Sequence, residues 1–490
     1  MMFFTHRRIR VLLLPVWWAV ARIAFATEYP VSDLSDAITA TLRVSTRSRE
    51  PVNNRLLGYN LLHTNTKKER DLVRRFDPIA IRFPDGAWSN FYDWETDTYT
   101  NHGDNNPRGK SFAITLEAWK KSGRKGGFPG LIKLNVEKKQ GGGKGYDIVW
   151  VYNVAYDSPA KNVARLNHSL LEGFDVRDIE LGNEQFWKSQ ASSQTDTPDG
   201  FLRAARPIAS ALRKAKPGIR ISIPLSWREQ HAEYNRIAAD DAEYFDAISL
   251  HKYVGTREDT TADESDKVLR SVLSARLALA NASRYVRSFA PGKPIWLTEW
   301  GVSAGKEAKA AAALAMADCY LFMFENQDIY DRANWFSVNG VSNSFLIFKV
   351  KRQLLYPLRK TAYASVYEIV RSVFENGQLL ASTIEVEQLV TPIGSINAVN
   401  ALAVVSNGRI AVLAVNLTDQ ACLLKLNIDD KHYDQTVLHE ALVFKDLSAV
   451  VVLDFDDNPL QPISSERGMI VLPPFSLNRI SGIQDISGSR

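Results

Sequence analysis

The chain has 490 residues, of which 45% are hydrophobic, 23% charged and 10% aromatic, and its formal net charge is +5 at pH 7. This composition is typical of a globular protein, and the mild charge excludes a nucleic-acid binder that depends on a strongly basic surface. The only two cysteines, Cys319 and Cys422, exclude a disulfide framework, so each is expected to pack as a small apolar residue.

The N-terminus has the pattern of an export signal. Basic residues at 6–10 precede an apolar run at 11–21, and Ala24-Phe25-Ala26 fits a small-x-small cleavage site. The apolar run is too short to span a membrane as a helix. Residues 1–26 are therefore predicted to be a signal peptide, and the mature protein is predicted to be secreted or periplasmic.

Between residues 55 and 340, short apolar segments alternate with segments of helical periodicity. Most of the apolar segments are continuously hydrophobic, as expected for strands buried on both faces. Eight of them are predicted to be strands: 56–62, 78–83, 131–136, 176–181, 219–225, 245–251, 294–299 and 333–338. Eight strands with intervening helices predict a (β/α)8 TIM barrel. The competing fold, a doubly wound sheet, would need a Gly-rich loop after an early strand, and Asn60-Leu61-Leu62 is not one.

The pattern changes after Tyr363 to shorter strands separated by turns, which predicts an all-β sandwich. The predicted sandwich strands are 400–406, 409–417, 422–428, 437–444 and 469–483. The segment 40–48 is also strand-like and is predicted to join them. The predicted organisation is a signal peptide at 1–26, an N-terminal strand segment at 27–50, a catalytic barrel at 51–365 and a β-sandwich at 366–490.

Polar and aromatic side chains are predicted to converge at one end of the barrel. TIM barrels carry their chemistry at the C-terminal ends of the strands and in the loops that follow. The residues predicted there are, in chain order, Arg82, Trp88, Tyr92, Trp94, Asn135, Asn183, Glu184, Trp187, Trp227, His251, Tyr253, Glu299, Trp300 and Trp335. Any one of these residues at a strand end would be unremarkable. Packing alone does not explain why so many polar and aromatic residues occur together at one end of the barrel.

Two carboxylates across a barrel mouth suit the cleavage of a glycosidic bond. One carboxyl must be protonated to donate to the leaving oxygen, and the other must be ionised to attack the anomeric carbon or to activate water. Glu184 and Glu299 are predicted to form this pair. The eight histidines include no HxH or HExxH spacing, so neither a metal-dependent hydrolase nor a cofactor is expected.

The stretch RFPDGAWSNFYDW at 82–94 is similar to an RFPGG element of arabinofuranosidases, β-xylosidases and heparanase-like enzymes. The Asn183-Glu184 pair and Glu299, at the ends of strands four and seven, resemble clan A of the retaining glycoside hydrolases. The resemblance implies Glu184 as acid/base and Glu299 as nucleophile. It further implies that Arg82 hydrogen-bonds the nucleophile and that Asn183 contacts the sugar 2-hydroxyl. His251 and Tyr253 would orient the two carboxylates, and the ring of Trp335 would form the bottom of the −1 subsite.

Two positions depart from the pattern of these families. Asp85 stands where they usually have Gly, which would bring a polar group towards the −1 sugar. Asn135 stands where some branches have His. The indole rings of Trp187, Trp227 and Trp300 are predicted to serve as platforms for sugar rings, because Trp is a natural partner for their apolar faces.

The predicted function is an exported retaining glycoside hydrolase that acts on a polysaccharide or oligosaccharide. The alternatives are a non-catalytic carbohydrate-binding protein on the same fold and a transglycosylase. The sugar, the linkage, the choice between internal and terminal cleavage and the oligomeric state are left open. Lys138, Lys139 and Lys144 lie in a segment, 137–146, that is predicted to follow strand three at the catalytic face. This segment is interpreted either as a solvated basic loop or as a subsite for an anionic, sulfated or uronic glycan.

Overall fold

The computed structural model describes residues 34–61, 64–84, 86–100, 117–118, 121, 125–255, 264–303, 309–337, 348–349, 353–354, 359–391, 393–454, 456–465 and 467–484. The predicted signal peptide and Asp85 lie outside the described residues. Within these ranges, no helix has the length and hydrophobicity needed to cross a membrane.

Eight parallel strands close into a barrel, which confirms the predicted TIM barrel. After an N-terminal strand, β1 (Ile38–Pro51), the barrel strands are β2 (Gly58–Asn60), β3 (Ala80–Phe83), β4 (Asp147–Tyr152), β5 (Asp178–Leu181), β6 (Arg220–Pro224), β7 (Ala247–Gly255), β8 (Ile295–Ser303) and β9 (Tyr330–Trp335). They pair in the order β8-β9-β2-β3-β4-β5-β6-β7, and β7 pairs with β8 to close the ring.

Helices surround the barrel, as the periodic segments predicted. Those in the described part of the chain are Lys67–Phe76, Phe128–Gln140, Pro159–Leu171, Pro198–Ala215, Ala232–Ala238, Glu264–Arg287, Ala310–Glu325 and Ala362–Phe374. The helix Ala310–Glu325 is buried on nearly all sides. A helix that is hydrophobic all round belongs in a core, and this one lies between the barrel and the second domain.

The prediction of a strand at 131–136 is wrong. This segment belongs to the helix Phe128–Gln140, and the third barrel strand is β4. The buried residues Phe128, Leu131, Leu134 and Asn135 recur at the spacing of one helix face. A six-residue apolar run does not by itself distinguish a buried strand from part of a helix, and Pro129 in the first turn marks the helix start.

The basic segment 137–146 consequently lies at the N-terminal end of the barrel. Lys138 Nζ donates to Asp77 Oδ1 at 2.7 Å, and Asp77 precedes β3. Lys139 Nζ donates to the carbonyl oxygen of Gly173, which precedes β5. The prediction that these lysines border the catalytic face is wrong, because the segment leads into the start of β4. The argument for an anionic glycan depended on that placement and has no support.

The second domain is all-β, as predicted. Its strands are β10 (Gln378–Glu385), β11 (Val399–Ser406), β12 (Arg409–Asn416), β13 (Cys422–Ile428), β14 (Lys431–His432), β15 (Leu438–Val443), β16 (Gln461–Pro462), β17 (Ile470–Leu472) and β18 (Ser476–Gln484). Hydrogen bonds connect them in the order β14-β13-β1-β10-β11-β12-β18-β15-β16, and β17 pairs with β13. Burial alternates along β1 and β13, so one face of each strand forms part of the domain core.

The N-terminal strand completes the sheet of the second domain. β1 runs antiparallel to β10 and parallel to β13. It therefore lies between two strands that belong to the C-terminal part of the chain. The two domains also share a hydrophobic core, in which Phe324 of the helix Ala310–Glu325 belongs to the same buried cluster as Leu413 of β12 and Leu477 of β18. Cys319 and Cys422 are both buried and unpaired.

Candidate active site

The Glu299 carboxylate, near the middle of β8, receives two hydrogen bonds. Tyr253 Oη on β7 donates to Oε1 at 2.5 Å, and Arg82 Nη1 on β3 donates to Oε2 at 3.3 Å. Burial of the hydroxyl and the charge of Glu299 raise the pKa of Tyr253 well above its ordinary value, so this hydroxyl keeps its proton and remains a donor. Each oxygen of the Glu299 carboxylate therefore has a donor that fixes its orientation, as the positioning of a nucleophile requires.

Arg82 is fully buried and connects four polar groups. Its guanidinium donates to both oxygens of Glu180, at 2.7 and 3.0 Å, to Asn60 Oδ1 at 3.1 Å and to Asn183 Oδ1 at 2.7 Å. Burial alone would raise the pKa of Glu180, but the charge of Arg82 and the contact with His251 lower it to about 2. Sequence reasoning missed Glu180 as a site residue, although an acidic residue between the apolar Ile179 and Leu181 of β5 was a usable signal.

His251 lies among three carboxylates. Its Nε2 is 3.3 Å from Glu180 Oε1, and its Nδ1 is 3.3 Å from Glu184 Oε1 and 3.7 Å from Glu299 Oε2. Burial works to lower the pKa of His251, but the charge of Glu299 and the contacts with Glu180 and Glu184 outweigh it and raise the pKa to about 9. An imidazolium ion is therefore expected here at neutral pH.

The contacts of His251 limit the distance between Glu184 and Glu299. Both distances, 3.3 Å and 3.7 Å, end at the same Nδ1 atom, so the sum of the two, about 7 Å, is the upper limit of the Oε1–Oε2 separation. Carboxyl groups of retaining glycosidases are about 5–5.5 Å apart and those of inverting enzymes about 6.5–9.5 Å. The upper limit of about 7 Å is compatible with the carboxyl separation of retaining enzymes and excludes most of the separations found in inverting enzymes.

A tight turn after β5 presents Glu184 to the barrel mouth. Gly182 has φ of 74°, in the left-handed region, and a Cβ at this position would lie 2.9 Å from Gln185 Cγ. Glu184 itself has φ of 46°, and its carbonyl accepts a hydrogen bond from Trp187 N at 2.9 Å. The Gly-Asn-Glu sequence thus ends the strand and turns the carboxyl towards the barrel axis.

Buried amide side chains hold this turn in place. Asn90 Oδ1 accepts from Asn183 N at 3.0 Å and from Gln185 Nε2 at 2.8 Å, and Asn90 Nδ2 donates to the carbonyl of Asn183 at 2.9 Å. Gln190 Nε2 donates to Glu184 Oε2 at 2.5 Å. None of these three amides, Asn90, Gln185 and Gln190, was a predicted site residue. Single polar residues in loops give no sequence signal without their partners.

Two predicted aromatic residues lie half-buried on the rim beside Glu184. Trp187 packs edge-on against the His231 ring, with 4.5 Å between the ring centres. Trp227 packs against Lys252, whose Nζ lies 3.2 Å from the ring centre. The rings of both Trp residues remain partly accessible and could contact a sugar face.

Trp300 and Trp335 are not at the surface of the site, which corrects their predicted roles. Both side chains are buried, and their rings contact each other edge-on at 4.7 Å. Trp335 also packs on Tyr363. The next residue, Phe336, is partly exposed and packs edge-on against Tyr253, with 6.2 Å between ring centres. Because side chains alternate along a strand, the aromatic residue that faces the site is the one after Trp335.

The backbone at Gly86 approaches Glu299 closely. A Cβ at Gly86 would lie 3.4 Å from the Phe336 ring and 3.9 Å from Glu299 Oε2, and its φ of 50° favours glycine. The loop after β3 therefore narrows the mouth beside this carboxylate.

The remaining predicted residues lie elsewhere. Asn135 is in the helix Phe128–Gln140, where its Oδ1 accepts from Tyr146 N at 3.1 Å, so it cannot occupy the predicted strand end. Tyr92 is buried and bonds Asp97 at 2.9 Å. The described residues include no cluster of His, Cys, Asp or Glu arranged to hold a metal ion.

The fold is similar to solved structures of glycoside hydrolases. An α-L-arabinofuranosidase from Thermotoga maritima aligns with a TM-score of 0.68 at 16% identity, covering 90% of this chain and 99% of that chain. A family 44 endoglucanase from Clostridium thermocellum aligns with a TM-score of 0.60 at 12% identity, covering 91% and 100%. A family 44 xyloglucanase from Paenibacillus polymyxa gives 0.60 at 12% identity, covering 91% and 99%.

These alignments confirm, at the level of fold, the resemblance to clan A enzymes that combine a TIM barrel with a β-domain. No protein-family model matches the sequence. No match was found among curated protein sequences.

Proposed function

We propose that the protein is a retaining glycoside hydrolase in which Glu299 is the nucleophile and Glu184 the general acid and base. The observation that carries this proposal is the convergence of both carboxyls on His251 Nδ1, at 3.3 and 3.7 Å. The upper limit of about 7 Å on the Oε1–Oε2 separation is compatible with direct attack of Glu299 on an anomeric carbon. The hydrogen bonds that Glu299 accepts from Tyr253 and Arg82 fix the orientation of the proposed nucleophile.

In the first step, Glu299 attacks the anomeric carbon while Glu184 transfers its proton to the glycosidic oxygen, and the bond between carbon and oxygen breaks. The sugar is then held as an ester of Glu299. In the second step, Glu184 accepts a proton from water, the water oxygen attacks the anomeric carbon, and Glu299 leaves as a carboxylate. The configuration at the anomeric carbon is retained after two inversions.

The charges around the site support these roles. Two cations, Arg82 and the imidazolium of His251, contact two carboxylates, Glu180 and Glu299. This group is neutral when Glu184 carries a proton. When Glu299 becomes an ester and loses its charge, Glu184 has donated its proton and supplies the missing negative charge. The net charge of the buried site is therefore the same in both states, which avoids an uncompensated charge in a low-dielectric environment.

We propose a polysaccharide or oligosaccharide as the substrate. The backbone N–H of Trp187 donates to the Glu184 carbonyl, and the Arg228 guanidinium lies over the rings of both Trp187 and Trp227. We therefore expect both rings to lie on the side where the leaving group receives the proton of Glu184. Aromatic rings on this side suit a leaving group that is itself a sugar. The enzyme names of the similar structures, arabinofuranosidase, xyloglucanase and endoglucanase, suggest arabinofuranosides, xyloglucan and glucans as the first substrates to test.

A carbohydrate-binding protein without catalytic activity is the main alternative. The presence of both glutamates, together with the groups that orient them, favours an enzyme. A transglycosylase would share these residues and would differ in whether water or a second sugar accepts the glycosyl group. The ratio of hydrolysis to transfer products distinguishes the two.

The test is a screen of aryl glycosides and polysaccharides with analysis of the reducing-end products. The Glu299→Gln variant is expected to lose nearly all activity. The Glu184→Ala variant is expected to keep activity on substrates with good leaving groups and to yield glycosyl azides when azide is added. Glu137→Gln, at the opposite end of the barrel, is the matched control and is expected to remain active. Full activity of Glu299→Gln would disprove the proposal.

We also propose export through the predicted signal peptide at 1–26. N-terminal sequencing of the protein recovered from a secreting host tests this proposal. A mature N-terminus close to residue 27 is expected, and an intact N-terminus would contradict it.

A further inference from the structure

We propose that Gln190 is a positioning residue that holds the carboxyl of Glu184 through Oε2 and strengthens it as the general acid. The inference rests on the proposed function of Glu184 as acid and base. Gln190 is fully buried, and its Nε2 donates to Glu184 Oε2 at 2.5 Å. It belongs to no strand of the barrel and follows Glu184 by six residues, in the loop after β5.

The partners of Gln190 fix the orientation of its amide. Its Oε1 accepts from Asn183 Nδ2 at 2.6 Å and from Asn90 Nδ2 at 3.2 Å. Amide nitrogens only donate, so the atom that faces these two groups must be oxygen. The NH2 group is therefore directed at Glu184, and rotation of the amide by 180° would place donors against donors.

Asn90 and Asn183 cannot easily reorient to permit such a rotation. Asn183 Oδ1 accepts from Arg82 Nη2 at 2.7 Å, which leaves Nδ2 to face Gln190. Asn90 Oδ1 accepts from Asn183 N at 3.0 Å, which leaves its Nδ2 to face Gln190 as well. A chain of fixed donors and acceptors thus runs from the guanidinium of Arg82 to the carboxyl of Glu184.

Two groups hold the carboxyl of Glu184, one at each oxygen. Oε2 accepts the hydrogen bond from Gln190 Nε2, and Oε1 lies 3.3 Å from His251 Nδ1. The amide donor of Gln190 favours the ionised form of Glu184, so it makes the neutral carboxyl a stronger acid towards the glycosidic oxygen. After transfer of the proton, the same donor stabilises the carboxylate that remains.

The consequence is a specific dependence on the leaving group. A substrate with a poor leaving group needs the proton of Glu184, whereas a good leaving group departs without it. In Gln190→Leu, kcat/KM for a phenyl glycoside is expected to fall roughly 10- to 100-fold, a fraction of what a general acid contributes. The value for the 2,4-dinitrophenyl glycoside of the same sugar is expected to change by less than about threefold. The basic limb of the pH profile is expected to move to higher pH, because the carboxylate loses a donor.

Gln185→Leu is the matched control. Gln185 is similarly buried in the same amide network. It donates to Asn90 Oδ1 and to the Gln190 backbone carbonyl and accepts from Thr195 Oγ1, and none of these three bonds involves the Glu184 carboxyl. We expect Gln185→Leu to lower kcat/KM by the same factor for both glycosides and to leave the pH profile unchanged. This is the result of a general loosening of the loop. Gln190→Met, which keeps the length of the side chain and lacks the donor, replaces Gln190→Leu if the latter does not fold.

Equal effects of the Gln190 variants on both glycosides, or no effect on either, would overturn the role assigned to Gln190 while the wild-type enzyme remains active. A wild-type protein that cleaves neither glycoside nor any polysaccharide would overturn the proposed function itself.

Discussion

Arg82 and Glu180 form a bidentate ion pair in the centre of the barrel, with Nε–Oε2 and Nη2–Oε1 distances of 2.7 and 3.0 Å and both side chains fully buried. Because Arg82 also binds Glu299 and Asn183, the geometry of the site depends on a carboxylate that is not expected to touch the substrate. Glu180 is therefore part of the support of the site and a sensitive point for stability.

The Glu180→Gln variant is expected to lose about 3–5 kcal/mol of unfolding free energy, because the buried guanidinium of Arg82 loses the carboxylate with which it forms a bidentate pair. Urea denaturation measures the loss. The matched control is Glu385→Gln, which removes the carboxylate from an exposed pair with Arg43 and is expected to cost less than about 1 kcal/mol. Similar losses in the two variants would show that the central pair does not stabilise the barrel.

Stability is expected to decrease on the alkaline side of neutrality because of His251. Its pKa is 6.5 in the unfolded chain and about 9 in the folded protein, where Glu180, Glu184 and Glu299 surround it and Arg82 opposes them. A raised pKa means that the contribution is fully present below about pH 6.5 and is lost as the pH rises to about 9. The difference between the folded and unfolded pKa of His251 corresponds to about 3 kcal/mol of unfolding free energy. Urea midpoints at pH 6.5 and 9 measure it, and the decrease should be absent in His251→Gln.

The hydroxyl of Tyr253 is expected to matter for turnover although 37% of the residue is exposed. A hydrogen bond to a charged group contributes about 1.5–3 kcal/mol, so Tyr253→Phe should lower kcat/KM roughly 10- to 100-fold. Tyr244→Phe removes a buried hydroxyl that bonds the Ala238 carbonyl at 2.6 Å, away from the site, and should leave kcat/KM unchanged. An unaffected Tyr253→Phe enzyme would argue against Glu299 as the nucleophile.

A substitution at Trp335 is expected to affect mainly stability, and a substitution at Phe336 mainly substrate binding. Trp335→Leu removes a fully buried ring between Trp300 and Tyr363 and should cost about 3–5 kcal/mol of stability. Phe336→Leu should cost about 1 kcal/mol and raise KM, because this ring borders the site. Thermal unfolding and steady-state kinetics on both variants check the assignment. A stable Trp335→Leu protein with a raised KM would restore the original prediction for Trp335.

The lysines at the other end of the barrel should have no influence on catalysis. Lys138→Ala and Lys139→Ala remove contacts with Asp77 and the Gly173 carbonyl, both at the N-terminal ends of strands. The dependence of kcat/KM on ionic strength is expected to match that of the wild type in both variants, because screening leaves little interaction over that distance. A loss of salt dependence in either variant would show that the segment 137–146 does reach the substrate.

Most of the barrel was predictable because its strands are continuously apolar and end in polar residues. Glu184 and Glu299 were identified for this reason, and the structure places them beside the same histidine. The segment 131–136 was misassigned because its apolar residues fit both periodicities over so short a length. The error moved Asn135 and the neighbouring lysines to the wrong end of the barrel.

The supporting residues of the site were less accessible from the sequence. Gln190 acts through partners around a turn, and no local pattern marks it. Glu180 acts through Arg82, which lies 98 residues away in the chain, and only its charge within a buried strand marks it. Trp335 and Phe336 differ only in the direction of the side chain at a strand end, which depends on the register of β9 in the barrel. Such distinctions follow from the three-dimensional pairing and have no counterpart in composition or spacing.

The position of β1 between β10 and β13 imposes an order on biosynthesis. The ribosome makes β1 before the entire barrel, but its partners at 378–385 and 422–428 emerge only after the barrel has been translated. At roughly 5–20 residues per second, the strand waits for tens of seconds with both edges unpaired. The sheet of the second domain therefore closes last, and any chain that terminates before residue 428 leaves β1 as an open edge that can pair with another molecule.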